Sequence, residues 1–523
     1  MGKKIDSFRI FCKDNMALCS LTALCLLFIY FVKLVNGNVG IDTERYIQEN
    51  GYPIASAMAS GRQGELLLEL FYPPQLFSVY TFNFISVLFL GLSAILWIYL
   101  FSRIEEDKSY KFSRFLFLLF YVSSGVWVEV IYFTPYAVGY LFTVVCCPIV
   151  TYFLAKSIYD RNIKRMAGCI FITFFLLIIY QAIFPMWLGG LLIFLYLICK
   201  SNEYQEYKSI FLYSAFSFGM LVLLYVFFLF LSGGLSSYLV EKTVAGSHVN
   251  FKRFILYIYC LFFSNIRNSV IENYFVSITG ESLGYVHSQL VIHSDVSTIW
   301  FFPLLLCYYI SVIKSGNKIL NKLVLACCPL TVLFFPVMGG GYAIVRTQWT
   351  IPLMGGWMSY YVFNSVLLNT NKYKAYVLAV CSLCSGLFLC ERSAAVNYID
   401  QIRYEEDVHL SYVIDETIQD LARKNTYNEI YIWTQGKYVP ALAGYDIYGE
   451  TSGHSIYGWD VWGAGRGVYL MNILGMERYK AFTREQYAAN EKIYSNILAS
   501  MPSYPQKGCV QMYNNVALVK FSD

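Results

Sequence analysis

Apolar runs of membrane length fill the first three quarters of the chain, and they leave few choices of fold. A bilayer core of about 30 Å needs roughly 20 residues of helix. Eleven stretches meet or approach that length: 16–35, 79–101, 115–133, 136–155, 166–184, 185–199, 210–231, 299–313, 319–337, 349–368 and 375–390. Inside lipid every backbone polar group must find its partner within the protein. The expected class is therefore an α-helical polytopic membrane protein with about 11 transmembrane helices. Composition adds one discriminating fact, a charged fraction of 14% against about 25% in a typical soluble domain.

Residues 1–13 are basic, but the apolar run that follows is too long for a signal peptide and no small-residue cleavage site comes after it, so it reads as the first span. Lys and Arg then fall in short clusters between runs, with a net charge of only +5, which excludes a nucleic-acid surface and sets topology instead. With the N-terminus cytoplasmic, the inside segments hold Lys3, Lys4, Arg9 and Lys13, then Arg103 to Arg114, Lys156 to Arg165, Lys200 and Lys208, Lys314 to Lys322, and Lys372 and Lys374. The opposite turns 132–135 and 181–187 contain no Lys or Arg, as the positive-inside rule requires. An odd number of spans puts the C-terminus outside. In a bacterium this means an inner-membrane protein with periplasmic segments 36–78, 232–298 and everything after 391. The expected division is a transmembrane domain over 1–391 and a small periplasmic α/β domain over 392–523. Within the second outer segment, 254–263 is apolar but half the spanning length, and reads as an interfacial or re-entrant helix.

In the C-terminal region, 395–425 and 484–500 read as helices, 429–434 as a strand, and 509–521 as two strands around Asn514-Asn515. Aromatic residues and glycines crowd 445–467, where turn-rich packing is preferred to sugar stacking. The Gly463-Ala464-Gly465-Arg466-Gly467 run lacks the preceding strand of a nucleotide loop. Fourteen of fifteen cysteines lie in or beside apolar runs, so a disulfide framework is excluded and only a Cys390–Cys509 bridge stays open.

Chemistry concentrates just beyond the first span, in Gly40-Ile41-Asp42-Thr43-Glu44-Arg45. Asp42 and Glu44 share one side of an extended chain but diverge on a helix, so both can serve one substrate only where the backbone is not helical. The plain alternative is that Asp42 caps a helix over 43–50. A carboxylate here can act as general base toward a hydroxyl, and a phosphate leaving group calls for arginine forks. Arg346, Arg62 and Arg45 are the outer arginines nearest the helix ends. Glu129 interrupts the third span near its outer end, where an acid is a functional candidate or an interfacial residue. Tyr180 and Gln181 can bond a sugar hydroxyl or, on the preferred reading, a neighbouring helix. His287, His293 and Asp295 match no standard metal site. No cofactor is required by any motif, and a divalent cation is kept as an open alternative.

An acidic pair after the first span (Asp42, Glu44), a Gly-Arg farther along that loop (Gly61-Arg62), Tyr-Gln at the outer end of a mid-chain span (Tyr180-Gln181) and an arginine loop before a late span (Arg346) resemble the membrane glucosyltransferases that modify bacterial O-antigen, often phage-encoded serotype-converting enzymes. The resemblance covers roughly residues 10–390. It implies a GT-C-type fold, undecaprenyl-phosphate-glucose as donor and lipid-linked or growing O-antigen as acceptor. It also implies a base from the first external loop, Asp42 first and Glu44 second. Donor phosphate would meet Arg346, Arg62 and Arg45, with Glu129, Tyr180 and Gln181 toward sugar or acceptor. An O-antigen polymerase and a flippase of lipid-linked sugar are the rival readings. The flippase calls for paired half-chain repeats and mid-membrane charges, which the sequence does not display.

Overall fold

The computed structural model describes residues 2–105, 111–201, 207–231, 295–338, 345–369, 372–423, 427–439, 451–459 and 465–522. The helices run in order: α1 Gly2–Asp14, α2 Met16–Val35, α3 Thr43–Glu49, α4 Ile54–Ser60, α5 Gln63–Glu69, α6 Val79–Glu105, α7 Lys111–Val122, α8 Gly125–Tyr132, α9 Thr134–Tyr159, α10 Ile163–Ile179, α11 Ile183–Ser201 and α12 Tyr207–Leu231. After the undescribed segment come α13 Asp295–Lys314, α14 Ile319–Cys327, α15 Phe334–Met338, α16 Thr350–Asn369 and α17 Lys372–Ala422.

Each of the eleven apolar runs is helical, because lipid leaves its backbone no other partner. Seven described helices are long and apolar enough to cross a membrane, or eight if the bent pair α7–α8 is one span. Two of the expected spans are interrupted in mid-run, and the fifth stops early, with α10 ending at Ile179 and α11 beginning at Ile183. The third bends by 43° between α7 and α8, at Ser123-Ser124-Gly125, the kind of small-residue junction at which helices kink. The Ser123 carbonyl, which lacks an α-helical partner at the break, accepts the Ser393 hydroxyl at 2.7 Å. The ninth turns from α14 into a 3-10 segment, Pro329–Leu333, where Pro329 has no N–H to continue the ladder.

The eleventh run is the start of something longer. No glycine or proline occurs between Cys390 and the helix end at Ala422, and α17 runs for 51 residues from Lys372, about 75 Å at 1.5 Å per residue. The expected boundary at 391 therefore falls inside one continuous helix, which is shared by the apolar bundle and the C-terminal region. α6 packs along α9, α7 along α16, and α2 along α17. Cys390 and Cys509 are both free, which closes the alternative of a bridge between them.

Beyond α17 lie β1 Ile430–Gln435, α18 Gly465–Ile473, β2 Tyr479–Lys480, α19 Arg484–Ala499, β3 Val510–Tyr513 and β4 Val516–Lys520. The sheet order is β2-β1-β4-β3, with β1 parallel to both neighbours and β3–β4 antiparallel. The hairpin turns at Asn514, which adopts φ 55°, a conformation Asn tolerates better than most residues. α19 opens with a reciprocal capping box between Thr483 and Gln486, which satisfies two otherwise orphaned donors. It then covers the sheet, with Tyr487 stacked on Trp433 at 4.2 Å.

A buried polar cluster joins this region to the bundle. Arg403 donates to Asp400 at 2.8 Å and to Asp407 at 3.1 Å, and Lys33 and Asn38 reach Asp400 from α2 and the loop after it. Gly453 N–H bonds Asp400, while the Ser455 hydroxyl and Ile456 N–H bond Asp407. Buried charge is costly unless fully paired. Here Arg403 and Lys33 supply the counter-charges, and the hydrogen bonds from Gly453, Ser455 and Ile456 fix segment 453–456 against α17.

Candidate active site

The first loop is held down on α8. Gly40 lies against Tyr132, where a Cβ would come within 3.0 Å of the Tyr132 carbonyl oxygen, and the Ile41 N–H donates to the Tyr132 hydroxyl at 3.0 Å. Asp42 then adopts φ 69°, a left-handed conformation that short polar side chains accept most readily, and α3 starts at Thr43. Asp42 thus occupies the cap position that one reading of the sequence gave it, but its side chain makes no capping hydrogen bond. It turns instead to Arg466 on α18. That guanidinium donates to Asp42 at 2.8 Å and to Glu44 at 2.5 Å. The turn at Asp42 is what lets two acids, two apart in sequence, meet one partner.

The two carboxylates then diverge in surroundings. Glu44 is fully buried. Burial pushes its carboxyl up to about 7, with the Arg466 charge opposing and the Asp42 charge adding to the rise. The Asp42 side chain is one-third exposed and lines a cavity of about 320 Å³, within the ~300–1,000 Å³ usual for small-molecule sites. Arg45, Arg62 and Arg346 line the same cavity, with Tyr52, Phe133, Tyr136 and Tyr140. Glu44 does not line it. Arg45 is ion-paired with Glu49 at 2.7 Å, one helical turn on.

Arg62 owes its position to Gly61. Gly61 ends α4 at φ 67°, and the Arg62 N–H bonds back to the Ala57 carbonyl at 2.9 Å, the Schellman arrangement that suits a left-handed glycine. Gln181 donates its amide to the carbonyls of Ser60 and Gly61, each at 3.0 Å. Tyr180 stacks on Tyr140 at 4.0 Å and lies under the Arg62 guanidinium at 4.7 Å. Arg62 also donates to the Tyr140 hydroxyl at 3.4 Å. Gln181 thus bonds a neighbouring backbone, the preferred of its two sequence readings, and that backbone carries Arg62.

Arg346 lies in the 3-10 turn Val345–Thr347. Its guanidinium covers the Phe133 ring at 4.4 Å, and its carbonyl accepts the Trp349 indole N–H at 2.7 Å. Guanidinium planes laid on aromatic faces direct their N–H edges sideways, the direction from which a phosphate is forked. The arrangement places one carboxyl group beside three arginines in a concave site, the groups that base-assisted displacement of a phosphate requires.

Glu129 is elsewhere. It is buried in α8 and accepts from the Thr451 N–H at 3.1 Å, the Ser452 N–H at 3.3 Å and the Ser452 hydroxyl at 2.6 Å. Its oxygens therefore clamp the C-terminal segment, and it is not among the residues lining the cavity. His287 and His293, the side chain of Asp295, and residues 254–263 lie outside the described residues.

Arg466 is the residue that the sequence left unassigned. Its Gly-Ala-Gly-Arg-Gly setting carries no periodic pattern, and the only signal was an arginine flanked by glycines in an aromatic stretch. The clamp of Thr451 and Ser452 on Glu129 was equally silent.

The GtrII glucosyl transferase family pattern matches residues 31–369. The chain belongs to this family. Membership makes it a glucosyltransferase of O-antigen modification, set in the membrane by its apolar helices. No curated protein matches the chain. The match to the GtrII family takes in the acidic turn, Arg62, Gln181 and Arg346, and it ends before Arg466.

Proposed function

We propose that this GtrII-family chain is an inverting glucosyltransferase that uses a polyprenyl-phosphate-linked glucose as donor and O-antigen as acceptor, on the periplasmic face of the bacterial inner membrane. The observation that carries this reading is the shared cavity of Asp42, Arg62 and Arg346. The acceptor hydroxyl oxygen bonds to the anomeric carbon from the face opposite the phosphate, and the bond from that carbon to the phosphate oxygen breaks. Asp42 takes the hydroxyl proton. The departing polyprenyl phosphate keeps the electron pair, its charge met by Arg62 and Arg346 and supported by Arg45.

Sidedness follows from charge. The cavity draws on Phe133, Tyr136 and the loop bonded by Gln181, which adjoin the two turns without Lys or Arg. The positive-inside rule assigns such turns to the outer side. The donor's isoprenoid tail lies between bundle helices, with its phosphate at the interface, and segment 392–523 stands in the periplasm beside the acceptor.

The test is chemical analysis of the host O-antigen repeat with and without this gene. Gain of one hexose per repeat, with an unchanged ladder of chain lengths, supports the transferase. A collapsed ladder with an unmodified repeat would mean polymerase action instead.

A further inference from the structure

We infer that Arg466 is a positioning residue of the transfer site, so that the segment lying beyond the family match completes the active centre by setting the Asp42 carboxylate toward the cavity. This rests on Asp42 being the base. The Asp42 side chain makes no capping bond in its own turn. The Arg466 guanidinium supplies what that turn lacks, one nitrogen to Asp42 at 2.8 Å and another to Glu44 at 2.5 Å. Glu44 is fully buried and serves as the fixed end of this fork. A bidentate guanidinium orients as well as attracts, which a single ammonium cannot reproduce.

The geometry is held from behind. Gly467, next to Arg466, packs on the Tyr457 ring, and the Tyr457 hydroxyl pairs with Ser411 of α17 at 2.8 Å. Segment 451–456, just before Tyr457, is fastened by Glu129, Asp400 and Asp407. A chain of contacts therefore runs from α8 and α17 through Tyr457 and Gly467 to the Arg466 guanidinium and on to Asp42. Supports of this kind keep a reacting group in register. It also gives Glu129 a task at a distance from the sugar.

The test uses the full-length protein in nanodiscs, with polyprenyl-phosphate-glucose as donor and lipid-linked O-antigen as acceptor. Arg466→Gln is expected to lower kcat by about 10- to 100-fold, the scale of a catalytic group displaced by an ångström or less, while the donor KM stays within twofold. Arg466→Lys should recover part of the kcat, since an ammonium can reach one acid. A purely structural Arg466 would lower the folded fraction, read by gel filtration and melting, and leave kcat per folded molecule unchanged. That result overturns the inference. Should Arg466→Gln not fold, Arg466→Lys decides, and wild-type kcat in that variant overturns the inference equally. Asp42→Asn, measured alongside, separates the two levels. If it is inactive while folded Arg466→Gln behaves as wild type, only the role of Arg466 fails. If it is fully active, the reading of the site fails with it.

Discussion

The side-chain amide of Gln181 donates to the Gly61 carbonyl at 3.0 Å, across 120 positions of sequence, and so fixes the turn that presents Arg62. Gln181→Leu leaves the Ser60 and Gly61 carbonyls without this donor, at a cost of about 1–3 kcal/mol, and loosens the turn rather than the base. The expected outcome is a raised donor KM, with kcat at saturating donor nearly preserved. A fall in kcat with unchanged KM would mean that Gln181 acts on the reacting sugar itself.

Arg62 and Arg346 face the cavity from two aromatic supports, Tyr180 and Phe133. Replacing either by Lys keeps the charge and removes the fork. A charge-assisted hydrogen bond is worth about 1.5–3 kcal/mol, so each single variant should weaken donor binding by about 10- to 100-fold. Titration with polyprenyl phosphate, the leaving group alone, reads this directly. Wild-type affinity in both variants would remove the phosphate from this cavity.

Glu44 gives a pH signature with a definite sign. Its folded carboxyl titrates at about 7 and its ordinary value is 4.5, because burial outweighs the attraction of Arg466. A raised acid contributes stability that is complete below the ordinary value and is lost as pH rises through the folded one. Glu44→Gln has no such dependence. Between pH 4.5 and 7 the melting temperature of the wild type should therefore fall relative to Glu44→Gln, and scans of both proteins at pH 5 and pH 8 measure it. A pH-independent difference contradicts the burial argument.

Glu129 accepts three hydrogen bonds from Thr451 and Ser452, and a glutamine offers an N–H where one of those donors needs an acceptor. Glu129→Gln should speed limited proteolysis around 451–459 and lower transfer without changing donor KM. Intact protection with weakened acceptor binding alone would instead assign Glu129 to the acceptor.

What the sequence disclosed and what it withheld follow from the range of the interactions involved. The apolar runs announced their helices because lipid enforces backbone pairing locally. Asn514-Asn515 marked a hairpin through its own turn preference. The bend at Ser123-Ser124 was hidden in a run that stays apolar on both sides. The continuation of α17 past Cys390 was hidden because Glu391 to Asn397 changes solvent preference without containing a helix breaker. Asp42, Arg62 and Arg346 were legible as ionisable residues at helix ends, whereas their meeting in one cavity depends on how α3, α4 and the turn before α16 pack. Arg466 was beyond reach for the same reason, since its partners lie 424 and 422 positions away and nothing in Gly-Arg-Gly points to them.

Asp42→Asn is the most direct measurement of the central claim. The amide nearly matches the carboxylate in shape and can still accept from Arg466, but it cannot take a proton from the acceptor hydroxyl. Cells carrying this variant, with the protein shown to be inserted at wild-type level, should make O-antigen whose repeat lacks the added hexose by mass spectrometry. A repeat still fully modified would contradict the assignment of Asp42 as the base, and with it this account of the site.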